Sequence, residues 1–219
     1  MQIEWQHIDH VFFDMDGTLL DLHYDNHFWQ HHLPKRYAEI HNLPVQEAIK
    51  NLTHQIQSIE GQLNWYCLDY WAQTLNIDLV ALKHETAHKI QWRPYAEAFL
   101  KNLKAREIPL YLVTNAHPKA IQIKNEHQPL THYFDQVISS HDYQAEKESA
   151  QFWKTLSKHL PFNPDKTLFF DDNIQVLTSA KINGRLGHLY GIAKPDSRRP
   201  VLTTSPFPLV TCFSTLLKN

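Results

Sequence analysis

Three short apolar runs in the chain each end in polar residues of the kind that do chemistry. They span residues 10–14, 109–115 and 166–173 and are rich in Val, Phe, Leu and Tyr. Runs of this length and composition predict buried strands of a parallel sheet. Weaker strand patterns occur at 136–140 and 185–190. Open α/β sheets place their sites at the carboxyl ends of strands, so the polar residues there are candidate functional residues.

Helical patterns separate these strands. Residues 94–106, 117–127 and 147–159 have apolar positions spaced for one helix face, and a short helix is expected at 208–217. Alternation of strands and helices predicts an α/β fold with a three-layer, doubly wound, Rossmann-like core.

One stretch breaks the alternation. From Asp25 to about Trp92 the pattern is helical and aromatic-rich, without a convincing strand, and Pro44 and Asp78 suit helix starts. We therefore predict an all-helical insertion of about four helices at residues 23–92. The core domain would consist of residues 1–22 and 93–219.

Composition narrows the picture further. Of 219 residues, 42% are apolar and 20% charged, which is ordinary for a soluble globular protein. A formal charge of -2 is too balanced to predict binding to nucleic acid or membrane. No apolar run approaches a membrane span, and the first ten residues lack the features of a signal peptide, so a cytoplasmic location is expected.

The cysteines and histidines give no metal motif. Cys67 and Cys212 are too few for a disulfide framework and are expected to be reduced packing residues. The 16 histidines are scattered. His84 and His88 stand four apart, but without a third ligand nearby we interpret them as a solvated helix face.

Two carboxylates follow the first strand at a spacing of two. Asp14 and Asp16 are followed by Gly17, which frees the backbone to turn. Their mutual repulsion is relieved by a cation, and Mg²⁺ prefers a few carboxylates together with water and phosphate oxygens. Asp171 and Asp172, at the end of another strand, can supply the missing ligand across the sheet.

At this point the chain resembles a known family. Four sets of residues look, in order, like the motifs of the haloacid dehalogenase-like hydrolase superfamily: Asp14 to Thr18 (DMDGT), Thr114 with Asn115, Lys147, and Asp171 with Asp172. An all-helical insertion after the first motif resembles the C1 cap of that superfamily. The glycine before and proline after the family's lysine are absent here, so a surface lysine at the start of a helix is a rival interpretation of Lys147.

The resemblance implies a phosphoryl transfer in which Asp14 is the nucleophile. Asp16 would be the general acid and base, with its backbone carbonyl facing Mg²⁺, and a hydrogen bond from Thr18 would hold it.

The resemblance also implies the groups around the phosphoryl oxygens. Thr114 and Asn115 would donate hydrogen bonds to them and Lys147 would neutralise their charge. Asp172 is the expected carboxylate that completes the Mg²⁺ site. Asp171 is either a second ligand or a residue that orients Lys147 or metal-bound water, and the roles of the two could be exchanged.

Four segments, taken from both the core and the insertion, resemble one group of proteins within this superfamily. Residues 12–22, 64–71 (NWYCLDYW), 114–118 and 194–197 together resemble bacterial GMP/IMP nucleotidases, which implies a purine 5′-monophosphate as substrate. A sugar phosphatase, a phosphomutase and a catalytically silent binding protein of the same fold are the alternatives.

Aromatic side chains of the insertion could stack on a purine. Trp65 and Tyr66 are the expected contacts, with Trp29, Tyr70 and Trp71 as further flat faces and packed interior as the other interpretation. Candidate donors to a 6-oxo group are Asn64, Gln62 and Arg93.

Overall fold

A computed structural model describes residues 3–217 of the chain. Its centre is one sheet with strand order β3-β2-β1-β4-β5-β6, in which all neighbouring strands are parallel. The strands are β1 (His10–Phe13), β2 (Leu110–Thr114), β3 (Gln136–Ser139), β4 (Thr167–Phe170), β5 (His188–Ile192) and β6 (Leu209–Val210). The five predicted strands are therefore present, and the fifth begins three residues later than predicted.

The helical insertion contains five α-helices. They are α1 (His23–His27), α2 (Leu33–His41), α3 (Val45–Ser58), α4 (Leu68–Leu75) and α5 (Leu79–Glu85). A π-helical turn at Phe28–His32 joins α1 to α2, so the two form one continuous helical run. Every element between His23 and Lys89 is helical, and this segment has an apolar cluster of its own that includes Phe28, Leu52 and Trp71.

Four further helices cover the two faces of the sheet. They are α6 (Ala96–Ala105), α7 (Pro118–His127), α8 (Ala150–His159) and α9 (Ile174–Ile182). Apolar residues of α6 and α7 pack on one face and those of α8 and α9 on the other. Phe12 and Phe13 show why β1 is central, because their side chains alternate between these two cores. The result is the predicted three-layer, doubly wound α/β core.

Three expectations about helices need correction. The expected helix at 208–217 is wrong, because Leu209 and Val210 pair with β5 and only Phe213–Leu216 forms a 3-10 helix. The helix expected from residue 147 begins at Ala150, since the Ser149 hydroxyl caps it by accepting from the Phe152 amide. Helix α9 was not predicted, although Asn173 caps it in the same way. No helix in residues 3–217 is both long and apolar enough to cross a membrane.

Candidate active site

The carboxyl ends of β1, β2 and β4 bring the predicted residues together. Phe13 lies beside Leu112 of β2 on one side and Phe170 of β4 on the other. Asp14 and Asp171 therefore leave adjacent strands at the same level, and the Asp14 amide donates to the Phe170 carbonyl at 2.9 Å. The strand order reverses its direction at β1, and such a switch point is where doubly wound sheets form a binding crevice.

Lys147 is buried at this end of the sheet. Its ammonium is 2.5 Å from Asp14 Oδ1, 2.6 Å from Asp171 Oδ2 and 3.1 Å from the Val113 carbonyl. The side chain is 2% exposed, which excludes the surface-lysine interpretation. Burial opposes the charged form, but the carboxylates of Asp14 and Asp171 outweigh it and raise the pKa of Lys147.

The backbone of this lysine is also fixed. Its amide donates to Asn115 Oδ1 at 2.9 Å and its carbonyl accepts from the Trp153 indole at 2.7 Å. Asn115 Nδ2 donates to Glu148 at 2.9 Å, so the Asn115 side chain is engaged at both ends. Asn115 thus holds the Lys147 loop, a positioning contact that the sequence did not indicate.

Three carboxylates stand around Lys147. Oxygens of Asp14, Asp171 and Asp172 all lie within 4.8 Å of one another. Burial and the neighbouring carboxylates raise the pKa of Asp172 well above its ordinary value, and burial raises that of Asp171 to about 7 despite Lys147. One ammonium against three carboxylates leaves negative charge uncompensated, and oxygen donors in this arrangement fit Mg²⁺.

Gly17 is required where the chain turns past this cluster. Its φ is +78°, a left-handed conformation, and a Cβ there would lie 2.5 Å from Asp172 Oδ2. Only glycine allows the Asp172 carboxylate to approach the backbone this closely.

Asp16 belongs to a second ion cluster. Its Oδ1 is 2.6 Å from Lys124 of α7, whose ammonium is also 2.7 Å from Asp25 of α1. Asp25 in turn accepts from Lys83 of α5 at 2.9 Å. Burial raises the pKa of Asp16 to about 6, against the opposing effect of Lys124. This chain of alternating charges connects the site to the helical insertion.

Thr18 lacks the hydrogen bond that we expected for it, whereas Thr114 keeps a proton that it can donate. Thr18 Oγ1 is buried and has no hydrogen-bond partner among the described residues, so the expected bond to Asp16 is absent. The Thr114 oxygen accepts from the Ala116 amide at 3.1 Å, which leaves the hydroxyl proton available to a ligand.

A cavity of about 530 Å³ lies between the insertion and the core. Asp16 and Lys124 line its core side, and Trp29, Trp65 and Tyr66 line its insertion side. The Tyr66 hydroxyl donates to Glu148 at 2.7 Å, so it joins the insertion to the loop of Lys147.

The expected 6-oxo donors do not line the cavity. Asn64 and Gln62 are exposed and lie outside the lining. Arg93 is buried elsewhere and donates to the carbonyls of Thr18 and Lys194.

Four charged residues of the site were missed from the sequence: Lys83, Lys124, Asp25 and Glu148. For Lys124 a signal existed, because it shares the buried face of α7 with Ala120, Ile121 and Ile123. A lysine among apolar positions needs a partner.

The chain belongs to the haloacid dehalogenase-like hydrolases, whose family model matches residues 8–184. It is 36% identical over 197 residues to the GMP/IMP nucleotidase YrfG of Escherichia coli (strain K12), which covers 90% of this chain and 88% of that protein. The protein is thus a hydrolase of the phosphatase type.

Solved structures show the same fold. The HAD phosphatase from Thermococcus onnurineus superposes with a TM-score of 0.77 at 20% identity, covering 96% of this chain and 97% of that one. The L-2-haloacid dehalogenase from Xanthobacter autotrophicus gives a TM-score of 0.64 at 18% identity, with the same two coverages.

Proposed function

We propose that the protein is a Mg²⁺-dependent phosphatase that hydrolyses purine nucleoside 5′-monophosphates through an aspartyl-phosphate intermediate. The observation that carries this proposal is the position of Asp14, buried at the end of β1 and 2.5 Å from the Lys147 ammonium. The likeness to a GMP/IMP nucleotidase supports the choice of substrate.

In the first step a carboxylate oxygen of Asp14 bonds to phosphorus while the bond from phosphorus to the ester oxygen breaks. Asp16 gives a proton to the departing oxygen, which leaves as the nucleoside hydroxyl. A pKa of about 6 suits this role, since the carboxyl can hold a proton near neutral pH and release it again.

In the second step water attacks the phosphorus of the aspartyl-phosphate. Asp16, now ionised, takes the proton of this water, Asp14 is released as a carboxylate and inorganic phosphate leaves. The route replaces one difficult displacement with two easier ones.

The transferring phosphoryl group needs cationic and hydrogen-bonding partners. Lys147 supplies the cation beside Asp14, and the Thr114 hydroxyl supplies a donor. Asn115 contributes by fixing the Lys147 backbone, because its side-chain oxygen accepts from the Lys147 amide and its side-chain nitrogen donates to Glu148. Preorganised groups of this kind stabilise charge that develops in the transition state.

Of Asp171 and Asp172, which follow β4, Asp172 is the better metal ligand. Both oxygens of Asp171 are engaged, one by Lys147 at 2.6 Å and the other by the Asn173 amide at 2.8 Å. The Asp172 carboxylate accepts no hydrogen bond from the described residues. We therefore assign Asp14, Asp172 and the Asp16 carbonyl to Mg²⁺, and Asp171 to the positioning of Lys147. Bound there, the ion would neutralise phosphoryl charge.

The cavity suits a flat, partly apolar group attached to the phosphate. Trp65 and Tyr66 pack edge to face with ring centroids 4.8 Å apart, and Trp29 and Trp71 with centroids 5.9 Å apart. These four rings therefore form packed walls that still line the cavity. A purine can stack on such walls without selection between bases.

Phosphate release from a panel of phosphomonoesters tests this function. With Mg²⁺ present, GMP and IMP should be turned over faster than CMP or glucose 6-phosphate. EDTA should stop the reaction and added Mg²⁺ should restore it. Fast turnover of sugar phosphates without turnover of GMP or IMP would exclude the nucleotidase function. A folded protein that turns over no ester would exclude an enzymatic function altogether.

The nucleophile has its own test. Asp14→Asn should abolish turnover in a folded protein, and acid quenching of the wild type during turnover should trap one phosphoryl group on the peptide that contains Asp14. Asp9→Asn is the matched control, since Asp9 lies at the opposite end of β1 and is exposed. Near-normal turnover by Asp14→Asn would contradict the assignment.

A further inference from the structure

A second group of metal-binding side chains lies between the insertion and the core. Cys67 stands at the start of α4, His117 just before α7, and His141 in the 3-10 helix Ser140–Tyr143. One ligand atom from each lies within 4.8 Å of the other two. The three are far apart in the chain, so the spacing rules that identify metal motifs in a sequence could not detect them.

The distances fit a tetrahedral ion after a small contraction. With bonds of about 2.3 Å to sulfur and about 2.0 Å to nitrogen, ligand atoms of tetrahedral zinc lie roughly 3.3–3.6 Å apart. The spread of 4.8 Å is within reach of rotation about the side-chain bonds. Thiolate and imidazole donors favour ions such as Zn²⁺ over Mg²⁺, which prefers oxygen.

His141 is prepared for ligation. Its Nε2 is buried and has no hydrogen-bond partner among the described residues, while its ring interacts with the Asn115 backbone. A metal-bound histidine commonly uses its second nitrogen in this way.

The other two donors are only weakly engaged. Cys67 Sγ accepts from the Tyr70 amide at 3.4 Å. His117 Nδ1 accepts from the Lys119 amide at 3.3 Å, a bond that ligation through Nε2 would exchange for a metal bond. Asp69 Oδ2 lies 3.6 Å from His117 Nε2, so Asp69 or water can complete the coordination.

We propose that Cys67, His117 and His141 form a site for Zn²⁺ or a similar thiophilic divalent ion, distinct from the carboxylate site for Mg²⁺. Cys67 belongs to the helical insertion and the two histidines belong to the core. A bound ion therefore ties the insertion to the core at the edge of the cavity that His117 lines.

This location has a consequence for turnover. Tyr66, next to Cys67, already joins the insertion to Glu148, and His117 lies two residues after Asn115. Movement of the insertion would open the cavity for exchange of substrate and product. An ion bound at the new site holds that cavity closed and slows turnover. This consequence rests on the proposed phosphatase activity, whereas binding of the ion does not.

Cobalt titration tests binding directly. Co²⁺ is added to the full-length protein in excess Mg²⁺, which occupies the carboxylate site, and the near-ultraviolet thiolate-to-cobalt absorption is followed. The wild type should develop this band and Zn²⁺ should displace it. Cys67→Ser should weaken binding by more than about 100-fold, beyond the cost of losing an outer-shell partner. A serine at this position retains an acceptor for the Tyr70 amide.

The second cysteine provides a matched control. Cys212 contacts Ser214 and the Pro94 carbonyl and is not part of the cluster, so Cys212→Ser should keep the full cobalt band. In the wild type, Zn²⁺ should protect Cys67 but not Cys212 from alkylation, as read by peptide mass spectrometry. Absence of the band in the wild type, its persistence in Cys67→Ser, or equal alkylation of both cysteines would overturn the site.

Turnover measurements test separately whether the bound ion holds the cavity closed. In saturating Mg²⁺, Cys67→Ser should have basal turnover equal to the wild type and should lose most of the inhibition by Zn²⁺. Competition of Zn²⁺ at the carboxylate site is common to both proteins and cancels in the comparison. If Zn²⁺ inhibits the wild type and Cys67→Ser equally while the wild type still binds cobalt, the ion does not slow turnover by holding the cavity closed.

Discussion

Removal of the Asp25 charge should destabilise the protein far more than removal of an exposed carboxylate. Asp25 is 17% exposed and receives Lys83 at 2.9 Å and Lys124 at 2.7 Å, and both lysines are 2% exposed. Asp25→Asn keeps the shape of the side chain and removes the charge. Lys124 retains Asp16, but Lys83 loses the one carboxylate with which it pairs in the described residues.

Two arguments set the magnitude. Burial alone would raise the pKa of Asp25, but Lys124 and Lys83 lower it from 3.8 to about 2. That difference corresponds to about 2 kcal/mol of stability near neutral pH. Loss of one partner from a buried ion pair costs about 3–5 kcal/mol. We therefore expect a loss of about 2–5 kcal/mol, a large part of the roughly 5–15 kcal/mol typical of a domain.

Urea unfolding at pH 7 measures this loss as a lower midpoint at an unchanged slope. Asp9→Asn is the matched control, because Asp9 pairs with Lys166 at 3.5 Å and both side chains are nearly half exposed. Exposed pairs contribute about 0–1 kcal/mol.

A second variant separates charge from shape. Adding Lys83→Met to Asp25→Asn removes the unpaired ammonium and should recover part of the lost stability. If Asp25→Asn and Asp9→Asn cost the same, below about 1 kcal/mol, the buried ion cluster does not stabilise the insertion on the core.

Three further changes can be measured. Gly17→Ala places a Cβ against Asp172 and strains a backbone with φ of +78°, so it should raise the Mg²⁺ concentration needed for half-maximal turnover, and an unchanged Mg²⁺ response would contradict this. Lys147→Met should reduce kcat by about 10²–10³-fold with unchanged circular dichroism, and near-normal kcat would remove Lys147 from the site. Because Asp25 titrates at about 2 when folded and near 3.8 when unfolded, its contribution is complete above about pH 4 and is lost as the pH falls towards 2. The stability gap between wild type and Asp25→Asn should shrink over that window, whereas a constant gap would contradict the pairing.

The local pattern of apolar residues was sufficient to predict the strands in the middle of the sheet. Buried on both faces, they read as continuous apolar runs, as in residues 10–13 and 167–170. The edge strand β6 has two residues and forms only because β5 lies beside it. Such a strand has no local signature, and the tail was wrongly predicted as a helix.

The residues of the site also divide into those that local sequence pattern predicts and those that it does not. Asp14 and Asp172 lie just after the ends of two predicted parallel strands, so the expectation that such ends share one edge of the sheet brings them close together. Lys124 and Asp25 are 99 residues apart and meet only after the insertion folds onto α7. Contacts of this range depend on tertiary structure, which single-sequence patterns do not encode.

The ion cluster between insertion and core is balanced internally. Asp16 and Asp25 carry two formal negative charges when ionised, and Lys124 and Lys83 carry two positive ones. Each ammonium is already within 3 Å of a carboxylate. These lysines line the cavity, but their charge is committed, so they contribute little net attraction for a phosphoryl dianion.

The cluster around Lys147 is not balanced. Asp14, Asp171 and Asp172 carry three formal negative charges against one ammonium, a deficit of two that equals the charge of one Mg²⁺. Without the ion, burial and the neighbouring carboxylates raise the pKa of Asp172 well above its ordinary value, and the ionised carboxylates that remain oppose a phosphate dianion beside Asp14. If Mg²⁺ binds here as proposed, we expect it to couple positively with phosphate, and by linkage each would raise the affinity of the other by the same factor. Calorimetric titration of phosphate with and without Mg²⁺ measures that factor, and a factor of one would show that Lys147 alone is sufficient for the anion.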